Sequence, residues 1–361
     1  MRRKKLKVGI VGVGGIANGA HIPAWKKLQE EGLVELKAFC DIKEERAKKA
    51  AEEFSAKYFT DYKDMLNEKL DIIDICTPNY YHSIIAVDAL NAGKNVLCEK
   101  PDAISVEEVQ KMYDASKKNK KLLMAIRNNR FRKISKYVKD IVDSGELGEV
   151  YVARCGYIRR RGIPWWGEWF TDKKLAGGGP LIDLGVHILD LTMWVTGFPE
   201  PKSISASTYL KIGKNSQVSD FGWTDFESIK EKKFDVEDLA IGFMRFKNSM
   251  SLQFEFSWAS NIEKENFFLE LLGTKAGLSY HMNSDGIFIK IYGESHGHSY
   301  DLTPRVKEEK WANGHENQIR HFVNCVLGKE EPQVTPYHGI TMIKILTSAY
   351  KSAELGKEIE F

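Results

Sequence analysis

Cysteine is scarce in this chain: Cys40, Cys76, Cys98, Cys155 and Cys325 are the five present, and they share no metal-binding spacing. An odd, scattered set lying mostly in apolar, strand-like runs argues against a disulfide framework and for buried thiols of a cytoplasmic protein. Long apolar runs are missing too. No stretch reaches the length of about 18 residues that a membrane helix needs. The start, "MRRKK" before "LKVGIVGVGG", mimics a signal peptide, but glycines break the apolar run within a few residues, as in a strand and turn. Charge of one sign is not in excess: 53 basic side chains face 50 acidic ones, a net +3. Without a basic face, nucleic acid is not an expected partner. The runs "MRRKK" and "KKNKK" read as a solvated terminus and a helix end. Internal repeats and low-complexity segments are absent.

What is present is ample apolar content, 43% of 361 residues, enough for two domains. Short apolar runs alternate with amphipathic segments up to "LLMAI": "KVGIV", "VELKAFC", "DIIDIC" and "NVLCEK" each lead into a helix-like stretch. That alternation predicts an α/β domain over residues 1–126, a doubly wound parallel sheet with helices on both faces. After about residue 146 the runs lengthen and alternate apolar with polar, as in "EVYVARCGYIRR" and "MSLQFEFSWA". Residues 127–361 therefore read as an α+β domain with a large, mainly antiparallel open sheet. Two helices close the chain, each stopped by glycine.

Chemistry enters at the first strand end. Gly12, Gly14, Gly15, Ile16 and Ala17 form a G-x-G-x-x-A turn opening a helix. The first glycine permits the turn, the second lets backbone approach a pyrophosphate, and the helix N-terminus faces its charge. Placed at the first βα junction, the motif predicts a bound dinucleotide. Asp41 ends the second strand, where an acid binds ribose hydroxyls and repels the extra phosphate of NADP, so NAD is expected and NADP not excluded. Arg46, one turn on, reads equally as a cofactor contact or a surface helix arginine. The fourth strand ends in "CTPNYYH", putting Thr77, Asn79 and His82 at the carboxyl edge that lines the ligand crevice. The fifth ends in "CEKP" on the same edge. Glu99 and Lys100 thus border the nicotinamide, where a partly buried lysine suits hydrogen bonding and proton transfer to a substrate hydroxyl.

In "GGGPLIDLGVHILDLTMW", glycines and Pro180 break the chain before a helix. Asp183 and His187 are four apart and share a helical face. A carboxylate there orients an imidazole and stabilises its protonated form, which makes His187 a tuned general base. Asp190 is a rival partner for that ring.

"GVGGIANGAHIP", "TPNYYH", "CEKP" and "GGGPLIDLGVHILD", in this order, resemble the glucose–fructose oxidoreductase / inositol dehydrogenase / rhizopine-catabolism family, and the resemblance runs down to "TPYHGITMIKILTSAYKSAELGK". It implies an N-terminal Rossmann domain, a C-terminal domain whose open sheet forms homodimers or homotetramers, and NAD(P)-dependent oxidation or reduction of a sugar, inositol or related polyol. Carried over by residue, it makes Lys100, Asp183 and His187 catalytic, and makes the bond before Pro101 one that is often cis. His187, oriented by Asp183, would take the proton of a secondary alcohol while Lys100 binds the same oxygen and the hydride passes to the nicotinamide. "RNNRF" resembles the family's segment after the last Rossmann strand, so Asn129 and Arg130 border the substrate. Arg127 before them departs from the familiar pattern and leaves their roles open. Trp165 and Trp166, in "RRRGIPWWGEWF", would stack on sugar faces or, equally, pack a subunit interface. The 211–238 insert would cover a site or a neighbouring subunit. No metal site is expected. Two other readings stand beside the dehydrogenase: an NAD-using glycosidase acting by transient oxidation and elimination, and a non-catalytic dinucleotide-binding regulator, which need not keep Lys100, Asp183 and His187 together.

Overall fold

The computed structural model describes residues 5–164, 168–213, 233–283, 286–306 and 313–361. Trp165 and Trp166 lie outside the described residues, as does most of the 211–238 insert. The chain divides into two compact units, Met1–Phe131 with Lys310–Ile343 and Arg132–Glu309 with Lys344–Phe361.

The sheet of the first unit consists of β1 (Leu6–Val11), β2 (Val34–Cys40), β3 (Lys57–Phe59), β4 (Ile72–Ile75), β5 (Asn95–Cys98) and β6 (Leu123–Ala125). Its order is β3-β2-β1-β4-β5-β6, and every pairing is parallel. Val8, Ile10, Ile72, Ile73 and Leu97 are wholly buried. Helices on both faces cover such strands, which explains their near-continuous apolar runs. The connecting helices are α1 (Ile22–Glu30), α2 (Glu44–Phe54), α3 (Tyr62–Leu66), α4 (Tyr80–Asn91) and α5 (Val106–Asn119). In α5 the Ser105 side chain accepts the Glu108 N–H, Glu107 and Glu108 lie in the first turn, and Lys117 and Lys118 lie in the last. Cap and charges both complement the helix dipole. The strand order reverses between β1 and β4, and the carboxyl ends of these strands flank the crevice that such a reversal creates.

Among the described residues, the sheet of the second unit has nine strands: β7 (Val150–Ile158), β8 (Pro201–Tyr209), β9 (Leu239–Phe246), β10 (Ser251–Ser257), β11 (Asn266–Gly273), β12 (Ala276–Asn283), β13 (Gly286–Ser295), β14 (His298–Leu302) and β15 (Ile359–Glu360). The order is β14-β13-β12-β11-β7-β10-β9-β8-β15, antiparallel throughout except where β7 runs parallel to β10. Helices α6 (Lys133–Asp143), α7 (Lys173–Ala176) and α8 (Val186–Val195) belong to this unit. One sheet face is buried through Leu252, Phe254 and Phe256, while Ile241, Phe288 and Tyr292 on the other stay 39–40% exposed.

Helices α9 (Asn313–Val326) and α10 (Pro336–Leu355) follow. A boundary at 126/127 would leave α9 with the second domain, yet it completes the first. Ile319, Phe322 and Val323 join Trp25, Ile126 and Phe131 in one core cluster. The Gln318 amide donates to the Ala125 carbonyl (2.8 Å) and accepts the Arg127 N–H (2.7 Å), continuing the hydrogen bonding of β6 beyond its end. Amphipathic periodicity shows that a helix has a partner but not which element that partner is.

Candidate active site

At the end of β1, Gly12 takes φ +89°, and a Cβ there would lie 2.6 Å from the Cys76 carbonyl oxygen. Only glycine fits both constraints. Among the described residues, a Cβ on Gly14 would meet nothing within 4 Å, which leaves open space in front of the turn. Gly15 is exposed, Ile16 half-buried and Ala17 wholly buried against the sheet. The helix opens with a π turn over Ala17–His21 before α1, a local insertion common at functional sites. The buried carboxylate of Asp41 accepts the Val13 N–H through Oδ2 (2.8 Å) and the Lys43 N–H through Oδ1 (2.8 Å), so it braces the glycine turn. Arg46 is exposed on α2. Past β4, the Thr77 hydroxyl is buried without a hydrogen-bond partner among the described residues, and Asn79 is 5% exposed at the start of α4. An open cradle beside an orphaned hydroxyl suits a dinucleotide.

The turn after β5 is held at each residue around the lysine. The Lys100–Pro101 bond is cis. Glu99 Oε2 accepts the Lys100 backbone N–H (2.9 Å). Asp102 pairs with the Arg127 guanidinium and accepts the Tyr113 hydroxyl (3.0 Å), with both members of the ion pair about 1% exposed. His82 lies with Nδ1 2.7 Å from the Pro101 carbonyl oxygen and Nε2 2.8 Å from that of Thr77. Burial pushes its imidazole below the ordinary value, with the two carbonyls opposing. The ring is wholly buried and offers no surface to a cofactor, so it ties the β4 end to the lysine turn instead. Lys100 itself is half-buried.

Behind Glu99 runs a buried polar chain. The Trp25 indole N–H donates to Asp74 Oδ2 (2.7 Å), His21 Nδ1 lies 2.8 Å from the same oxygen, and His21 Nε2 lies 2.8 Å from Glu99 Oε1. Burial alone would lower the His21 pKa, but Asp74 raises it well above the usual range. Cys76 adds no charge there, because burial pushes its thiol up to about 12. For Glu99 burial acts upward, and the His21 hydrogen bond and charge, with His315 and Lys100, override it and hold the carboxyl well below its usual range. His315, lowered by burial to about 4, is neutral near pH 7.

In the second unit a π turn over Leu181–Gly185 runs directly into α8. Asp183 lies in that turn and His187 one residue into the helix. Eight of the ten α8 residues are buried, so this is a core helix rather than a surface one. The wholly buried Trp258 donates its indole N–H to Asp183 Oδ2 (3.0 Å). Glu237 anchors the turn, accepting the N–H groups of Gly179 (2.9 Å) and Leu181 (3.1 Å) and the Tyr350 hydroxyl (2.8 Å). Burial raises its pKa, with those donors opposing. Any side chain at Gly179 would strike the Glu237 carbonyl oxygen, 2.0 Å from its Cβ. His187 is half-buried and Asp190 nearly wholly buried. Asp183, held by the Trp258 N–H, stands four residues before the half-buried His187.

Two expected substrate neighbours are enclosed. Asn129 is 7% exposed, and Arg130 is fully buried with Nη1 3.3 Å from both the Gln333 carbonyl oxygen and His338 Nδ1, leaving no surface for a ligand. Arg161 donates to the Ser260 carbonyl (3.0 Å) and Asn261 Oδ1 (2.6 Å), and Arg159 stacks on Tyr157 (4.6 Å), so these arginines hold loops together. Sequence reasoning passed over His21, Asp74, Asp102, Glu237 and Trp258. One signal was available: Asp74 is a charge inside the apolar strand "DIIDIC", and a buried charge demands a partner.

Residues 6–126 match the oxidoreductase family with an NAD-binding Rossmann fold, and residues 135–279 match the GFO/IDH/MocA C-terminal domain. Over 363 residues the chain is 33% identical to the D-glucoside 3-dehydrogenase of Escherichia coli (strain K12), covering 100% of this chain and 99% of the relative. It is 28% identical to the glucose-6-phosphate 3-dehydrogenase of Bacillus subtilis (strain 168), over 80% of this chain and 77% of that one. The crystal structure of GenD2 from gentamicin A biosynthesis, in complex with NAD, superposes with a TM-score of 0.81 at 25% identity, covering 100% of this chain and 97% of that one.

Proposed function

Because the chain belongs to the GFO/IDH/MocA oxidoreductase family and carries its NAD-binding Rossmann domain, we propose that it oxidises the C3 hydroxyl of a D-glucoside or a closely related sugar, with His187, Asp183 and Lys100 as the catalytic residues. The full-length likeness to a glucoside 3-dehydrogenase supports the substrate class. The observation that carries the chemistry is the Asp183 carboxylate, fixed by the Trp258 N–H four residues before a half-buried imidazole.

The Gly12–Ala17 turn would hold the pyrophosphate, Asp41 the adenosine ribose, and Thr77, Asn79 and Glu99 the nicotinamide end. The bound nicotinamide supplies the hydride acceptor. His187 removes the hydroxyl proton, and Asp183 stabilises the imidazolium so formed. Lys100 donates a hydrogen bond from Nζ to the reacting oxygen, holding the alcohol in line. Exposed Ile241, Phe288 and Tyr292 on the open sheet face suit a homodimer or homotetramer contact. The five cysteines are free thiols, as suits the reducing cytoplasm.

The test is NADH formation across methyl glucosides, free aldoses, inositols and 1,5-anhydro sugars, with NAD and NADP in parallel and His187→Ala and Lys100→Met beside the native protein. Turnover on glucosides that both substitutions abolish while NAD still binds is the expected result. Full turnover in either variant would remove that residue from the reaction. Release of the aglycone without net NADH would replace the reading with transient oxidation and elimination.

A further inference from the structure

We propose that His21 is a positioning residue: carried as an imidazolium between Asp74 and Glu99, it fixes the Glu99 carboxylate against the Lys100 backbone and so sets the aim of the lysine. The proposal rests on the reading of Lys100 as a ligand of the reacting oxygen.

Each ring nitrogen of His21 lies 2.8 Å from a carboxylate oxygen, Asp74 Oδ2 on one side and Glu99 Oε1 on the other. A neutral imidazole has one N–H, so one of these contacts would set a lone pair against a lone pair. With both nitrogens protonated, each contact becomes a charge-assisted hydrogen bond. The ring is wholly buried, and water cannot repair a mismatch. Other groups facing it do not change the count. Trp25 donates to Asp74 Oδ2, the Cys76 thiol is uncharged, and the His315 ring, with its centroid 5.6 Å away, is neutral near pH 7. At the Glu99 end of the chain, Lys100 is one of the cations that hold Glu99 ionised.

Glu99 Oε2 accepts the Lys100 N–H (2.9 Å) while Oε1 faces His21, so the imidazolium holds one end of a carboxylate whose other end holds the lysine backbone. His21 is also the last residue of the π turn that starts at Ala17 in the nucleotide-binding motif. One side chain therefore ties the cofactor turn to the lysine turn within a single unit. Asp74 reaches His21 from the middle of β4, so the tie is anchored in the sheet.

The pH dependence has a defined sign. His21 is raised above its ordinary 6.5, so its contribution to stability is complete below that value and is lost as pH rises through its folded pKa. Glu99 is lowered below 4.5, so its contribution is present above that value and is lost as pH falls through its folded pKa.

The experiment compares native protein, His21→Gln, Lys100→Met and the double variant His21→Gln/Glu99→Gln, in which two amides can replace the ionic contact. In nitrogen-resolved NMR of the native protein, a His21 ring carrying both protons at pH 8 supports the proposal, and a neutral ring below pH 7 overturns it. Exchange of the Lys100 amide proton, a readout independent of turnover, should quicken about tenfold or more in His21→Gln and slow again in the double variant. Unchanged exchange overturns the proposal. Turnover in His21→Gln should fall about tenfold or more, as small misplacements of reacting groups do, with NAD affinity held within about threefold and part of the loss recovered in the double variant. If Lys100→Met is silent and His21→Gln keeps native turnover, the positioning role fails while the reading of Lys100 stands. If Lys100→Met keeps native turnover, that underlying reading fails instead. One equivalent of a chelator-removable divalent ion at His21, Glu99 and His315 would also overturn the imidazolium.

Discussion

Replacing Arg127 with methionine isolates the most enclosed ion pair of the lysine turn. Methionine roughly keeps the volume but withdraws the guanidinium from Asp102, which is left about 1% exposed and still accepts the Tyr113 hydroxyl (3.0 Å). Removing one member of a buried pair costs about 3–5 kcal/mol, because the other charge stays behind without compensation. The Tyr113 hydrogen bond should keep the cost near the lower end, about 3 kcal/mol, still a large share of the roughly 5–15 kcal/mol that holds a protein folded. Adding Asp102→Asn removes the stranded charge, so the double variant should be more stable than Arg127→Met alone by at least about 1 kcal/mol. Urea unfolding of the native protein, both single variants and the double variant closes the cycle. Turnover should fall alongside stability, because Asp102 stands two residues from Lys100. Additivity to within about 0.5 kcal/mol, the range seen for independent sites, would refute the reasoning. So would a loss below about 1 kcal/mol for Arg127→Met.

Trp258→Phe keeps a ring in a fully buried place and removes the N–H 3.0 Å from Asp183 Oδ2. A hydrogen bond to a charged group is worth about 1.5–3 kcal/mol, so kcat should fall at least about tenfold while calorimetric NAD affinity stays native. An equal loss of both would reduce Trp258 to packing. Gly12→Ala must place a methyl 2.6 Å from the Cys76 carbonyl oxygen at φ +89°. NAD binding should weaken by about tenfold or more, and native affinity in that variant would show that the turn relaxes at little cost.

The α/β character of the first unit was legible because parallel strands buried on both faces leave uninterrupted apolar runs, and "KVGIV" and "DIIDIC" are such runs. The glycine turn was legible because backbone constraints are local: a positive φ and a close carbonyl leave glycine as the residue that fits. The lysine turn could be recognised from "CEKP", and the helical pair from the four-residue spacing of Asp183 and His187. What holds those residues was not legible. Trp258 reaches Asp183 across 75 residues, Gln318 reaches Arg127 across 191, and His21 reaches Glu99 across 78. His82 and Arg130 showed the converse, polar residues at a strand edge that read as ligands and proved to be enclosed.

The sequence by itself determined the periodic elements, the glycine turn and the residues proposed to carry the chemistry, since each depends on neighbours within a few residues. Tertiary structure alone decided that α9 completes the first unit, that the second sheet includes a parallel pair, and that Asp74, Glu99 and Asp102 are compensated by His21 and Arg127. The physical reason is that burial creates the need for a partner, and burial is a property of the packed chain: an isolated carboxylate in a sequence carries no sign of whether water or a cation will face it.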